Sequence, residues 1–418
     1  MVFIPGGASD RLLISLSIDI LKMSGEYFRL IRDTARELKE YDGVVGLVFH
    51  NDADGLCAAS ISASTLNKTG KKYKLVCIEK IHPAILRLVY STDCRLYVFL
   101  DIGSGKADLI ARMSEERKTR NIILDHHDPM KIDSPNVVNL NPELYGLSGE
   151  RDVSGSTATY LLMREVADIK DSAWMAVVGS AEIPGPLKGL NQIPLQDSLE
   201  VGDVEIKKGR EEFYNIKIFN KPWNKLSSIL TAIGSIGYYR GGPYKVVRGL
   251  LSTRIDFEEA EKLEVERRTK FNQLFSIFSR SKLRVEGVTQ WFHIHDLLKG
   301  FGTKTIGTFC SMLSYRNIVA QDKYLIGFMD FEPTIPDLGI VEGSWVKVSV
   351  RTPKLLSEKI ESGEMPPASE LTMKSAEAVE GSGDGHSFAA SALIPSGKEK
   401  QFISFFNKLA VAKQAYLT

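Results

Sequence analysis

Cysteine is scarce in this chain, and its four thiols (Cys57, Cys77, Cys94, Cys310) share no CxxC spacing. That excludes a zinc-finger or disulfide framework and predicts reduced thiols in an intracellular protein. Long hydrophobic runs are also missing, so no segment is expected to span a membrane. The opening stretch MVFIPGGASDRLL lacks the basic start and cleavage site of a secretory signal, and a cytoplasmic location is expected. Neither an internal repeat nor a low-complexity tract is present. Excess charge of either sign is lacking too: the formal net charge is +1, a balance that can hide local patches and leaves the partner open. With 418 residues, 43 % hydrophobic and 25 % charged, the chain reads as globular and too long for one simple core.

The first half alternates short apolar runs with helix-compatible stretches. VVGLVF (44–49), YKLVCI (73–78), LYVFL (96–100) and NIIL (121–124) read as strands, and 55–68, 83–90 and 106–117 read as the helices between them. Such alternation implies βαβ crossovers and a parallel sheet covered on both faces. Helices near 154–166 and 171–180 complete this domain. Residues 207–254 then carry ten basic residues against two acidic ones, interleaved with Phe213, Tyr214, Phe219, Trp223, Tyr238, Tyr239 and Tyr244. Residues 256–285 keep a helical period and suggest a long connecting helix. Strands return at 323–329 and 345–351, and an amphipathic helix is expected near 398–413. The division expected is 1–200, a basic helical insertion and connector over 201–285, and 286–418.

Three of the four expected parallel strands run straight into metal-competent residues. The first ends in His50, with Asp52 and Asp54 beyond it in HNDADG; the third ends in Asp101 of DIGSG; the fourth ends in Asp125, His126 and His127 of ILDHHDP. Taken singly, each could be a polar turn after a strand. In an open parallel sheet, however, the carboxyl ends of the strands face one crevice, where ligands bind. Four carboxylates and three imidazoles gathered there would repel one another without cations. Two divalent ions offset that charge, with Asp101 on the middle strand as the bridging ligand. Mixed Asp/His ligation suits Mn²⁺ better than an all-oxygen Mg²⁺ or Ca²⁺ site. Two such ions about 3.5–4 Å apart clamp an in-line displacement at phosphorus.

At these residues the sequence resembles the DHH phosphoesterase superfamily, and within it the archaeal RecJ-like nucleases. HNDADG, Asp101 and the triplet at 125–127 stand at its first three motifs, and NPELYGLSGERDVSGSTATYLL (141–162) is similar to the segment that opens the next helix. SVRTP (349–353) and GSGDGHSFAAS (381–391) are similar to elements of the DHH-associated domain, with Ser382 and Asp384 where glycines are typical. The resemblance implies a parallel-sheet α/β domain joined by a long helix to a smaller α/β domain. It also implies one Mn²⁺ on His50, Asp52 and Asp101, and a second on Asp54, Asp101 and His126. Asp125 would support the cluster, and His127 would touch the scissile phosphate. The usual fourth-motif Asp is replaced in VVGSAEIPG (177–185), where Glu182 is the only acid available as a ligand. Arg351 and His386 would hold the nucleotide, and Gly383 and Gly385 would bring backbone N–H groups to a phosphate, as glycine-rich turns at helix N-termini do.

The activity expected is a Mn²⁺-dependent exonuclease (Mg²⁺ being the other candidate ion) that shortens single-stranded DNA or RNA to nucleoside 5′-monophosphates. The strand would enter a cleft between the two domains. The basic, aromatic-rich segment taken alone reads as a solvated helical surface over core aromatics, but beside a phosphoesterase site it would add phosphate neutralisation and base stacking. One alternative is a phosphodiesterase for dinucleotides or very short oligonucleotides. Another, favoured by Glu182, is a replication or repair scaffold with a weakened nuclease site. A helicase or replisome protein is the expected protein partner, and no membrane is.

Overall fold

The computed structural model describes residues 25–209 and 212–417. The opening stretch read above for a signal lies outside them, as do Arg210 and Glu211 of the basic segment. In chain order the elements are α1 (Gly25–Glu40), β1 (Val45–Phe49), α2 (Ala53–Lys68), β2 (Tyr73–Cys77), α3 (Pro83–Val89), β3 (Leu96–Leu100), α4 (Ala107–Arg117), β4 (Arg120–Leu124) and β5 (Val137–Asn139). Next come α5 (Gly155–Val166), α6 (Ala173–Gly179), α7 (Gln192–Val201), β6 (Val204–Lys208), β7 (Glu212–Ile216), β8 (Lys221–Pro222), α8 (Trp223–Thr231) and α9 (Gly242–Leu251). The remainder is α10 (Phe257–Arg280), β9 (Arg284–Glu286), β10 (Thr289–His293), α11 (Lys304–Leu313), β11 (Tyr324–Asp330), β12 (Thr334–Ile335), β13 (Gly339–Ile340), β14 (Trp345–Arg351), α12 (Lys354–Glu361), α13 (Ala368–Glu377), β15 (Ser382–Gly385), β16 (Ala389–Pro395) and α14 (Glu399–Leu417).

Chain contacts divide the described residues into two units. One holds residues up to 76, 92–228 and 247–254; the other holds 77–91, 229–246 and 255 onward. These boundaries cross the three-part division read from the sequence, for physical reasons visible in the contacts. Residues 77–91 belong with the second unit because Glu79 accepts a hydrogen bond from the Thr303 N–H and the His82 ring packs edge-on against Trp345. The early part of the expected insertion belongs with the first unit, where the Tyr214 hydroxyl accepts from the Leu187 N–H.

In the first unit the strand order is β2-β1-β3-β4-β5, with β1, β3, β4 and β5 paired in parallel. Every residue of β1 and β3 is buried, as their continuous apolar runs require in a sheet covered on both faces. Small residues of α2 (Ala53, Gly55, Ala58, Ala59, Ala63) are buried where it packs on α5 and α6. A three-stranded antiparallel sheet, β6-β7-β8, follows. The second unit is built on a mixed sheet of order β15-β16-β14-β11-β10-β9. Core residues Val346, Val348 and Val350 of β14 pack with Leu356, Leu371 and Phe402. The apolar stripe of α10 (Leu263, Phe271, Leu274, Phe278) packs with Phe292 and Phe309, so the long helix is part of this unit's core.

Candidate metal centre

The register of the first sheet aligns its strand ends. Phe49 pairs with Leu100, and Leu100 with Leu124, so His50, Asp101 and Asp125 leave three adjacent strands at the same level. The ladder runs one step further, His50 N–H to the Leu100 carbonyl and Asp101 N–H to the Leu124 carbonyl. Beyond β1 the chain turns at once into α2. Asp52 is its N-cap, accepting from the Gly55 N–H at 3.2 Å, and Asp54 stands in its first turn. Asp101 has φ +58°, a left-handed conformation that is costly without a glycine and that clusters at functional sites.

Two groups of ligand-type atoms, each within 4.8 Å of one another, share Asp101: His50, Asp52 and Asp101, and Asp101, His126 and His127. His50 Nδ1 lies 2.7 Å from Asp52 Oδ2 and 3.8 Å from Asp101 Oδ2. His126 Nε2 lies 3.5 Å from Asp101 Oδ1 and 3.6 Å from Asp54 Oδ2. The first group is the one expected. In the second, Asp54 stands beside His126, and the His127 ring joins the ligand-type atoms.

The charge in this cluster is compensated unevenly, and Asp101 is the carboxylate left without a counter-charge. Burial, then Asp54, Asp52 and Asp125, push the Asp101 carboxyl well above its usual range. Its Oδ1 is buried without a hydrogen-bond partner among the described residues. Asp125 behaves oppositely: burial works against its ionised form, but His127, His126 and the Ser104 N–H outweigh that and hold it well below the carboxylate range. Burial likewise disfavours the His127 imidazolium, yet Asp125 outweighs it and raises the ring to about 9.

Several contributors were not singled out in the sequence. His126 Nδ1 lies 2.7 Å from the Gly149 carbonyl, which it meets as a donor, so its Nε2 lone pair faces the carboxylates. Asp54 accepts from the Gly155 and Ser156 N–H groups at 2.8 Å each, which fixes it at the N-terminus of α5. Asn141 donates to the His127 carbonyl at 2.6 Å and to Ser104 Oγ at 3.0 Å. The signal available for two of these was glycine. A Cβ on Gly149 would come within 1.9 Å of the His126 carbonyl oxygen, and one on Gly155 within 2.5 Å of Asp101 Oδ1.

Glu182 ends a short 3-10 turn after α6, is exposed, and is in neither ligand group. The proposed nucleotide residues lie in the second unit. Arg351 closes β14, its Nε on Ser311 Oγ at 2.8 Å and its Nη1 on Ser349 Oγ at 3.2 Å and the Val350 carbonyl at 2.8 Å. The His386 N–H donates to the Ala389 carbonyl at the turn into β16. Gly383 and Gly385 are strand residues, in β15, rather than part of a turn opening a helix. Packing demands glycine at 385, where a Cβ would lie 2.4 Å from Ala390 Cα, whereas at 383 a Cβ would lie 3.2 Å from Met373 Cα, a tight contact that a small shift relieves.

The aromatics of 207–254 correct a second expectation. Tyr214, Trp223, Tyr238 and Tyr244 are core residues, at most 7 % exposed, because their large apolar bodies are worth more inside than as a stacking platform. Some of the basic residues are paired as well, Arg240 with Glu266 and Lys245 with Glu259. Among the described residues no helix is long and apolar enough to cross a membrane.

Comparison with known proteins fits this geometry. Residues 44–179 match the model of the DHH family, N-terminal domain. An uncharacterized protein of Methanocaldococcus jannaschii is 30 % identical over 203 residues, 46 % of this chain and 45 % of its own, so the match spans less than half of that curated relative. RecJ of Thermus thermophilus, solved with Mn²⁺, superposes with a TM-score of 0.59 at 19 % identity over 92 % of this chain and 55 % of its own. A manganese-bound exonuclease RecJ gives 0.57 at 19 % identity over 91 % of this chain and 94 % of its own. At that identity the likeness is one of fold.

Proposed function

We propose, starting from the DHH-family domain of residues 44–179, that this protein is a two-metal phosphodiesterase shortening single-stranded nucleic acid to nucleoside 5′-monophosphates with Mn²⁺. The observation that carries the reading is Asp101: a strained, buried carboxylate with an unpartnered oxygen, shared by two ligand groups at aligned strand ends. The manganese in the similar RecJ structures and the exonuclease name of one of them support it. His50, Asp52 and Asp101 would hold one ion, and Asp54, Asp101 and His126 the other. When bound, the pair supplies Lewis-acid compensation for the charge that builds on phosphorus oxygens.

The chain's own groups do the rest. Gly149 fixes the tautomer of His126, and the N-terminus of α5 fixes Asp54. Asp125 holds His127 by Nδ1 at 2.7 Å and favours its protonated form, which leaves Nε2–H to donate to a phosphate oxygen. Arg351 and His386, with the backbone of β15, are proposed to bind the nucleotide. The decisive experiment is a Mn²⁺ incubation series with end-labelled DNA and RNA, of several lengths down to the dinucleotide and with both label positions. Laddering from one end of a single strand is expected; no cleavage of any length would overturn the reading. The burial of Tyr214, Trp223, Tyr238 and Tyr244 favours a second reading, a phosphodiesterase for very short oligonucleotides, and the same series decides it by whether rate falls as length grows.

Glu182 supplies a separate prediction. Its exposed position outside both groups leads us to expect Glu182→Ala to keep its rate within about threefold, with an unchanged Mn²⁺ requirement, as for substitutions at exposed sites. Mn²⁺ titrations of turnover check this; a raised half-saturating concentration would restore Glu182 as a ligand.

A further inference from the structure

The second sheet carries a polar row on the face opposite Val346, Val348 and Val350. The register pairs Asp384 of β15 with Ser391 of β16, and Ser391 with Ser349 of β14. Lys347 and Arg351 flank Ser349 on the same strand face. From the segment before α3, within the same unit, Lys80 donates to Asp384 Oδ1 and to Ser391 Oγ, and Ser391 Oγ donates to the same carboxylate oxygen at 3.1 Å. Lys80 and Lys347 are 6 % and 7 % exposed, whereas the Asp384 side chain is 44 % exposed. The carboxylate is therefore the solvent-facing member of a cationic cluster.

Each cation on this face is already engaged or weakened. Lys80 is paired with Asp384. Two nitrogens of Arg351 are committed to Ser311, Ser349 and the Val350 carbonyl. Burial, then Lys80, lower the Lys347 amine to about 7, while Asp384 and Glu79 work against that shift. Burial opposes ionisation of Asp384, but Lys80 and Lys347 outweigh it and bring the carboxyl to about 2, so it is charged throughout the neutral range. A terminal phosphate, carrying about 1.5 to 2 negative charges at pH 7, would have to pass this carboxylate to reach either amine. Like charges brought together across an interface repel, and the half-exposed carboxylate keeps that penalty in the path of an incoming phosphate. A terminal hydroxyl meets no such penalty and can donate to the exposed carboxylate.

We propose that Asp384 is a specificity-determining residue that makes this face accept a hydroxyl-terminated strand end and reject a terminal phosphate. This rests on the single-strand reading above and names the class of strand end this face takes.

The test uses the full chain in EDTA, so that phosphate cannot be drawn to a metal. Equilibrium binding of matched oligonucleotides, hydroxyl- or phosphate-ended at either terminus, is compared for wild type and Asp384→Asn, with inorganic phosphate as a third probe. Asparagine keeps an acceptor oxygen for Lys80 and Ser391 but removes the charge. Wild type should bind hydroxyl ends at least as tightly as phosphate ends. Asp384→Asn should bind phosphate ends and inorganic phosphate about tenfold more tightly, with hydroxyl ends changed by less than about twofold. Lys80→Met, which leaves Asp384 without its amine, should weaken phosphate-ended binding about tenfold further. An unchanged ratio in Asp384→Asn, or a wild-type preference for phosphate ends, overturns the assignment. If no oligonucleotide binds either protein in EDTA, the inorganic phosphate series alone decides Asp384, a gain sustaining it and no gain sinking it, while the Mn²⁺ cleavage series decides the single-strand reading separately.

Discussion

Asp101→Asn should lower Mn²⁺-supported hydrolysis by at least about 10³-fold, roughly 4 kcal/mol of barrier, because one substitution removes charge from both ion positions. The same change should leave the metal-free fold at least as stable as wild type. Burial and the neighbouring Asp54, Asp52 and Asp125 raise the folded-state pKa of Asp101, so ionising it costs stability. The sign follows by linkage: the contribution of this group is fully present below the unfolded value of about 3.9 and is lost as pH rises through the higher folded value. In EDTA, wild-type stability should therefore decline on this account as pH climbs from about 4, and Asp101→Asn should lack that decline. Mn²⁺ should raise the Tm of wild type more than that of the variant, since binding to the native state stabilises by mass action. Melting curves over pH, with and without Mn²⁺, together with initial rates, check all three. A variant with near wild-type rate would end the shared-ligand reading.

The first sheet and its strand ends were legible because two signals coincide there. A parallel sheet covered on both faces needs continuous apolar runs, and VVGLVF, LYVFL and NIIL are such runs; each then breaks abruptly into charged or imidazole residues. The residues that hold those groups in place were not legible. Gly149 acts through its carbonyl, Gly155 and Ser156 through their N–H groups, and backbone roles leave no side-chain mark. The 207–254 segment misled for a different reason. Interleaved basic and aromatic residues fit an amphipathic packed segment as well as a nucleic-acid surface, and only burial tells them apart; Tyr238 and Tyr244 turned out to be inside. The glycines at 383 and 385 were read for phosphate contact, yet at 385 the close approach of β16 is enough to require glycine. Residues 77–91 and 229–246 join the second unit through contacts distant in sequence, such as the Tyr238 hydroxyl on the Cys77 carbonyl, which no local pattern announces.

Asp125→Asn should do the opposite of Asp101→Asn to stability while also crippling turnover. Asp125 is an acceptor on every side: Oδ2 takes the Ser104 N–H at 2.8 Å, and Oδ1 takes the His126 N–H at 2.8 Å and His127 Nδ1 at 2.7 Å. An asparagine can present only one oxygen. Whichever way its amide turns, an NH₂ group faces a donor, and either the Ser104 N–H or the histidine side is left unsatisfied in a buried place. Loss of the negative charge beside His127 adds to this, for a total cost of roughly 3 kcal/mol at neutral pH. Because the folded-state pKa of Asp125 is depressed, its contribution is present above the unfolded value near 3.9 and is lost as pH falls. The gap between wild type and variant should accordingly narrow below about pH 4. With His127 no longer held by Asp125, hydrolysis should fall about 10²-fold even at saturating Mn²⁺, a loss of orientation that added metal does not repair. Denaturant unfolding in EDTA at neutral and acidic pH, beside rates at saturating Mn²⁺, separates the two effects. If Asp125→Asn unfolded at the wild-type denaturant concentration and turned over at the wild-type rate, Asp125 would be a bystander and the oriented-imidazolium role of His127 would fall with it.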